Sequence, residues 1–132
     1  MASNVYRGLT IEIDGKTDKL TAALSRVNGE VKTANNSLAG LNRALKIDPG
    51  NITLMGDKVK AAGSKVDATK KRVDSLTQAQ QRLAASGDTD SATYQRLGQD
   101  IATSQVYLSK YSKELGQARV EYSAQESALG RL

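Results

Sequence analysis

The stretch Leu45-Lys46-Ile47-Asp48-Pro49-Gly50-Asn51 decides how this chain can fold. Pro49 has no amide hydrogen to donate and pushes Asp48 out of the helical region, so no helix runs through this point. Asp48, Pro49, Gly50 and Asn51 therefore make a helix-break motif. Before the break, apolar residues recur at Leu20, Leu24, Val27, Val31, Ala34, Leu38, Leu41 and Leu45. After it they resume at Ile52, Met55, Val59, Ala62 and Val66. Alternating steps of four and three put each set on one stripe of a helix.

The second stripe continues through Thr69, Val73, Leu76, Gln80 and Leu83 and stops at Gly87, a natural residue just past a helix end. Asp88-Thr89-Asp90 then offers a new N-cap. A third stripe follows at Tyr94, Leu97, Ile101, Ser104, Leu108, Tyr111, Leu115, Ala118, Tyr122, Gln125 and Leu129. The spacing predicts helices over 17–47, 52–85 and 91–132, with turns at 48–51 and 86–90. Thr17 and Asp18 are the capping residues expected for the first. The third pattern reaches the last residue without a stop signal, as in a chain cut from something longer. The link from Ser86 to Asp90 suits an antiparallel hairpin and a kinked continuation equally.

The expected fold is all-α: long heptad-patterned helices, packed as a coiled coil or helical hairpin, preceded by a short β-strand. The strand is read in the segment 1–16, where Leu9, Ile11 and Ile13 alternate with Thr10, Glu12 and Asp14. A lone strand leaves its edges unpaired, so a partner from another chain, or from residues beyond these, is expected.

The seams are thin. Thr69, Gln80, Ser104 and Gln125 occupy seam positions where Leu or Val would stabilise more, and such residues can also fix register. Gly29, Gly40, Gly56, Gly63, Gly98 and Gly116 fall inside the helices, each costing about 1 kcal/mol relative to Ala. Marginal stability is the expectation. Gly56, Gly63 and Gly98 directly follow Met55, Ala62 and Leu97, where a small residue either lets helices approach or is merely tolerated.

Composition excludes a good deal of chemistry. Only 39% of residues are apolar and 4% aromatic, with no Phe or Trp, which is little bulk for a compact enzyme core. Without Cys or His there is no disulfide, thiolate or imidazole base, and almost no transition-metal site. No run approaches the roughly 18 apolar residues of a membrane span, and residues 1–6 do not read as a secretory signal. The net charge of +5 is spread thinly: seven basic and five acidic groups in residues 1–50, seven and five in 51–90, five and four in 91–132. Lys70-Lys71-Arg72, flanked by Asp67 and Asp74, reads as a solvated face with pairs inside its own helix.

No catalytic constellation emerges. Asp88 and Asp90 are explained by capping, and Glu121 and Glu126 are five apart and share no helix face. The many Ser and Thr have no His partner. Asp48-Pro49-Gly50-Asn51 lacks the frame of a phosphate loop. Tyr94, Tyr111 and Tyr122 could stack nucleic-acid bases, but their seam positions favour the core, which leaves Tyr107 as the better surface contact. The expectation is a non-enzyme with no cofactor and no metal.

Two stretches resemble a known family. Gly8-Leu9-Thr10-Ile11-Glu12-Ile13-Asp14-Gly15, followed by Thr17-Asp18-Lys19-Leu20, is similar to the N-terminal start of many tail tape measure proteins of long-tailed bacteriophages. Leu41-Asn42-Arg43-Ala44-Leu45-Lys46-Ile47-Asp48-Pro49-Gly50-Asn51 resembles that family's Leu-Lys-Leu-Asp-Pro-Gly-Asn junction. Similarity extends to about residue 101, through Ala68–Val73 and Tyr94–Leu97. The helices hold more Gly, Ser and Ala than the Lys/Glu/Leu-rich versions of that family.

The resemblance implies a structural virion protein in the lumen of the tail tube. It would set tail length during assembly in the host cytoplasm and leave the tube at genome ejection. Implied partners are further copies of itself and the tail tube and assembly proteins, with weak nucleic-acid contact as a further reading and no membrane contact. The competing reading is a coiled-coil adaptor or secreted helical-hairpin protein that buries its stripe against one protein partner.

Overall fold

Pro49 stops the first helix, and the polar groups freed around it are reused to start the second. A computed structural model describes residues 12–13, 16–17, 20–89 and 91–131. Within them run three helices, α1 (Leu20–Ile47), α2 (Ile52–Ala85) and α3 (Ala92–Gly130), so the fold is all-α. The Asp48 amide still donates to the Ala44 carbonyl at 3.0 Å, and the Asn51 amide then closes a turn onto the Asp48 carbonyl at 3.2 Å. Asn51 is the N-cap of α2: its side-chain oxygen accepts from the Leu54 amide at 3.1 Å, and its Nδ2 donates to Asp48 Oδ2 at 3.2 Å. One side chain thus satisfies an orphan donor of α2 and braces the corner.

The second corner rests on Gly87, whose φ of +86° is in the left-handed region. Its amide donates to the Ala84 carbonyl at 3.0 Å and the Asp88 amide reaches back to the Leu83 carbonyl at 2.9 Å, the paired bonds of a Schellman cap. The cap of α3 is Ser91, not Asp88 or Asp90. Ser91 Oγ accepts from the Tyr94 amide at 3.1 Å, while Asp88 Oδ1 accepts from the Ser91 amide at 3.1 Å. Asp88 therefore holds the turn that aims the real cap, and Asp90 lies outside the described residues.

Both corners turn the chain back on itself. Leu24 of α1 packs with Leu76 of α2, and Leu38 with Val59 and Ala62, so these helices are antiparallel. Leu83 packs with Leu97, while Gly56 faces Tyr122. The link 86–90 is thus a hairpin rather than a kink. α2 is flanked by α1 and α3.

The buried side chains fall into two clusters. Near the Gly87 corner, Leu20, Leu24, Leu76, Ala79, Leu83 and Leu97 pack together, with Leu76 and Leu97 fully buried. Near the Pro49 corner, Ala62, Val66 and Leu115 form a smaller cluster, lined by Leu38, Val59, Leu108 and Tyr111. A fully buried Leu contributes about 1.5–3 kcal/mol. The first cluster has two of them, the second none.

At the N-terminal end the described backbone holds two-residue strands, β1 (Glu12–Ile13) and β2 (Lys16–Thr17), paired antiparallel with Glu12 opposite Thr17. Thr17 therefore lies in β2 and α1 starts at Leu20, later than the capping pattern predicts. The pairing described is local, between neighbouring residues of the chain. The rest of the expected strand (residues 9–11), the proposed cap Asp18, and Leu132 at the end of the third predicted helix lie outside the described residues, and the longer strand is not shown.

The glycines separate by environment. A Cβ at Gly63 or Gly116 would meet nothing within 4 Å. Gly63→Ala and Gly116→Ala should each raise stability by about 0.5–1 kcal/mol, because Ala loses less entropy in a helix and nothing must move. Gly87→Ala, placed at positive φ, should lower stability by about 1–2 kcal/mol. Urea unfolding of the three variants reads both signs.

Candidate functional site

The polar residues on the apolar stripes are where the helices are tied together. Thr69 is buried, and its Oγ1 donates to the Lys65 carbonyl at 2.8 Å, inside α2. The other three connect separate elements. Gln80 Nε2 donates to the Tyr94 carbonyl at 3.3 Å, and Gln125 Nε2 to the Gly50 carbonyl at 2.9 Å. Buried Ser104 accepts from Arg72 Nε at 3.1 Å. These bonds hold α3 to α2 or to the Pro49 corner near its two ends and at an intermediate level, and each needs one particular alignment of the helices.

Arg72 is the centre of this arrangement. Its Nη1 also donates to Asn28 Oδ1 of α1 at 3.0 Å, so a single guanidinium clasps α1 and α3 from the helix between them. Beside it Lys71 Nζ lies 3.5 Å from Glu30 Oε2 of α1. Of the reading of Lys70-Lys71-Arg72 as a solvated face paired within its own helix, the solvated part holds for Lys70 and Lys71, which are exposed, and the pairing is corrected: Lys71 and Arg72 reach neighbouring helices. The reason is that α2 has helices on two sides, so residues off its main stripe still meet a partner. The Lys71–Glu30 pair is largely exposed and adds little. The Arg72–Ser104 bond is partly buried and the Arg72–Asn28 bond is exposed, and a fixed planar fork suits two acceptors at once.

A second buried line on α2 was not visible in its heptads. Ala68 and Ala79 are as buried as the leucines, at 0% and 1% exposure, yet lie off the predicted seam. With Arg72 and Ser75 they follow steps of four, three and four, which is a stripe of its own. Small side chains give it almost no hydropathic signal. The only available hint was that Ala is placed at helical spacing around an Arg.

The predicted seam residues divide by position. Leu20, Leu24, Val27, Val66, Leu76, Leu83, Leu97 and Leu115 are buried. Val31, Leu38, Leu41, Leu45, Met55, Val59, Val73, Ile101, Leu108, Tyr111 and Tyr122 are half-buried. Leu129, one turn beyond Gln125, is exposed. In the helix-break motif Asp48, Pro49 and Gly50 are exposed and Asn51 is half-buried. Close approach explains two of the three seam-flanking glycines. A Cβ at Gly56 would come within 3.2 Å of the Tyr122 ring, and one at Gly98 within 3.0 Å of Gln80 Nε2, whereas Gly63 has open space.

Tyr111 and Lys65 meet at an open groove. Lys65 Nζ sits 3.8 Å from the centre of the Tyr111 ring, and the Tyr107 ring lies tilted against Tyr111 at 5.8 Å. The groove, about 180 Å³, is lined by Leu38, Asn42, Lys58, Glu114 and Glu121 among others. Desolvation lowers the Lys65 pKa, opposed by Glu114 and assisted by Lys110. Desolvation also raises the Tyr111 pKa, with Tyr107 and Glu114 adding to it. Glu121 lines the groove and Glu126 is exposed, so the structure does not bring this carboxylate pair together at one site. Among the described residues no group of three or more His, Cys, Asp or Glu is placed to hold a metal ion. No described helix is long and apolar enough to cross a membrane. Tyr107, Val106 and Val120 are exposed on α3.

No protein-family model matches the chain, and no curated protein or solved structure matches it either.

Removing either acceptor of the clasp should cost about 0.5–1.5 kcal/mol. In a double-mutant cycle, Arg72→Ala with Ser104→Ala should show coupling of about 0.5 kcal/mol or more, while Arg72→Ala with the distant Gln125→Ala should be additive. Tyr111 contributes a pH signature. Its folded pKa is raised above the unfolded 10.0, so its contribution is present below about pH 10 and is lost as pH rises through the folded pKa. Tyr111→Phe should therefore lose less stability than the wild type between about pH 9 and about pH 11, read from urea midpoints.

Proposed function

We propose that this chain is a structural, non-catalytic segment of a phage tail tape measure protein, which sets tail length during assembly and occupies the tail tube lumen until genome ejection. The observation that carries the reading is the run Leu41–Asn51, whose last seven positions, Leu45–Asn51, resemble that family's Leu-Lys-Leu-Asp-Pro-Gly-Asn junction with Ile47 in place of its second Leu. Further support comes from the built form of that junction. Asn51 caps α2 and bonds Asp48, and Gly50 receives Gln125 from α3, so each named residue of the motif has a definite structural use. The virion, and the host cytoplasm before it, are the proposed locations; copies of the chain and tail tube or assembly proteins are the proposed partners.

In this role the segment acts as a docking piece rather than as measured length. An extended helix converts residues to distance at about 1.5 Å each. Here α3, the longest helix with 39 residues, sets a length of about 58 Å, because α1 and α2 fold back beside it. Coiled-coil association through the half-buried stripe of α1 and α3 would bring several copies side by side.

The decisive experiment is genetic. In-frame deletions of helical sequence outside this bundle, made in the gene that encodes it, should shorten phage tails in proportion to residues removed, at about 1.5 Å each in an extended helix. Deletions inside α2 and α3 should instead abolish tail assembly. Tails of normal length in both cases, or virions that lack the protein, would contradict the reading. The exposed Val106, Tyr107 and Val120 favour the second reading, a helical adaptor with a single protein partner. That reading predicts normal tails throughout.

A further inference from the structure

The grip of α2 on α3 changes along its length. From Ala92 to Ser104, α3 buries Leu97 and Ser104 and adds Tyr94 and Ile101 to the larger cluster. Beyond Ser104 its buried residues are Leu115, which joins the smaller cluster with Leu108 and Tyr111 packed beside it, and Ala118. The Arg72–Ser104 bond stands at the change, between the two clusters. Past it, α3 is held by that smaller cluster together with less buried contacts: the Lys65 ammonium over Tyr111, Tyr122 against Gly56, and the Gln125–Gly50 bond. The groove undercuts the same section, and Val106 and Val120 on it are each 69% exposed.

We propose that α3 beyond Ser104 is a detachable arm, which swings off α2 while the remainder of the bundle stays folded. The hinge is the level of the Arg72 clasp, which stays with the better-packed half. The corner beneath the arm is closed independently by Asn51 and Asp48, so α1 and α2 keep their own pairing when it leaves. Release frees the half-buried Val59 of α2 and the Leu115 and Tyr111 faces of the arm. The arm spans about 40 Å as a helix. Alone, a helix of this length is marginal in water, so release also opens its backbone bonds to exchange.

This inference stands apart from the tape measure reading and is tested on the isolated full chain. Native-state hydrogen exchange should show amides of residues 106–122 protected about tenfold less than those of 94–103, opening as one unit with a shared urea slope that is clearly above zero and smaller than that of global unfolding. Tyr111→Ala with Gln125→Ala should lower protection in 106–122 several-fold further and leave 94–103 within about twofold. Equal protection and equal urea slopes on the two sides of Ser104 in the wild type would overturn the proposal. So would a smooth decline from Ser104 to Gly130, the signature of fraying, or a double variant that weakens both sides alike.

Discussion

The central helix must bury two faces, and the rest of the architecture depends on that constraint. A chain with 4% aromatic residues and no Phe or Trp cannot stabilise a helix pair through bulk alone. α2 meets the constraint with its heptad stripe and with the second, small-residue line of Ala68 and Ala79. Both corners follow from it: Pro49 and Gly87 return α1 and α3 to the same helix. A straight continuation at either corner would leave part of this surface in water. The apolar area lost would exceed anything a hairpin turn costs, since each fully buried Leu is worth about 1.5–3 kcal/mol.

With modest apolar burial, polar groups set the alignment. Leu and Ala stripes slide past one another by a heptad at little cost, whereas the Arg72 clasp and the Gln80 and Gln125 bonds are satisfied in a single register. The same residues look like weaknesses when judged only as seam positions. Their destabilising and specifying effects act together: each replaces apolar contact with a bond that only one arrangement makes.

Much of the fold was legible because its interruptions are chemically strong signals. A proline preceded by Asp, and a glycine after the last periodic residue, mark helix ends by geometry rather than by statistics. The sense of the second corner was not legible, since the Ser86–Asp90 link suits two geometries until Leu83 meets Leu97. Ser91 was missed as the cap because Asp88 and Asp90 are equally good capping residues, and the hydrogen bond from the Ser91 amide to Asp88 settles the roles. Arg72 was misread for a related reason. A basic run on a helix is normally solvated, and only a third helix on that side supplies Ser104. The second α2 stripe is alanine, whose burial leaves no hydropathic trace.

The most direct test of this arrangement is one distance. The chain has no cysteine, so labels can be placed at Ser25 of α1 and Ala102 of α3, both exposed and separated by both corners. Adjacent helices pack about 8–10 Å apart, so with α1 and α3 on either side of α2 the two labels should lie within about 30 Å in dilute solution. A straight Gly87 corner would carry them to about 40 Å and a straight Pro49 corner to about 75 Å, by the rise of the intervening residues, so either alternative places the labels at about 40 Å or more. A dominant population at that longer distance would contradict the three-helix arrangement on which every other conclusion rests.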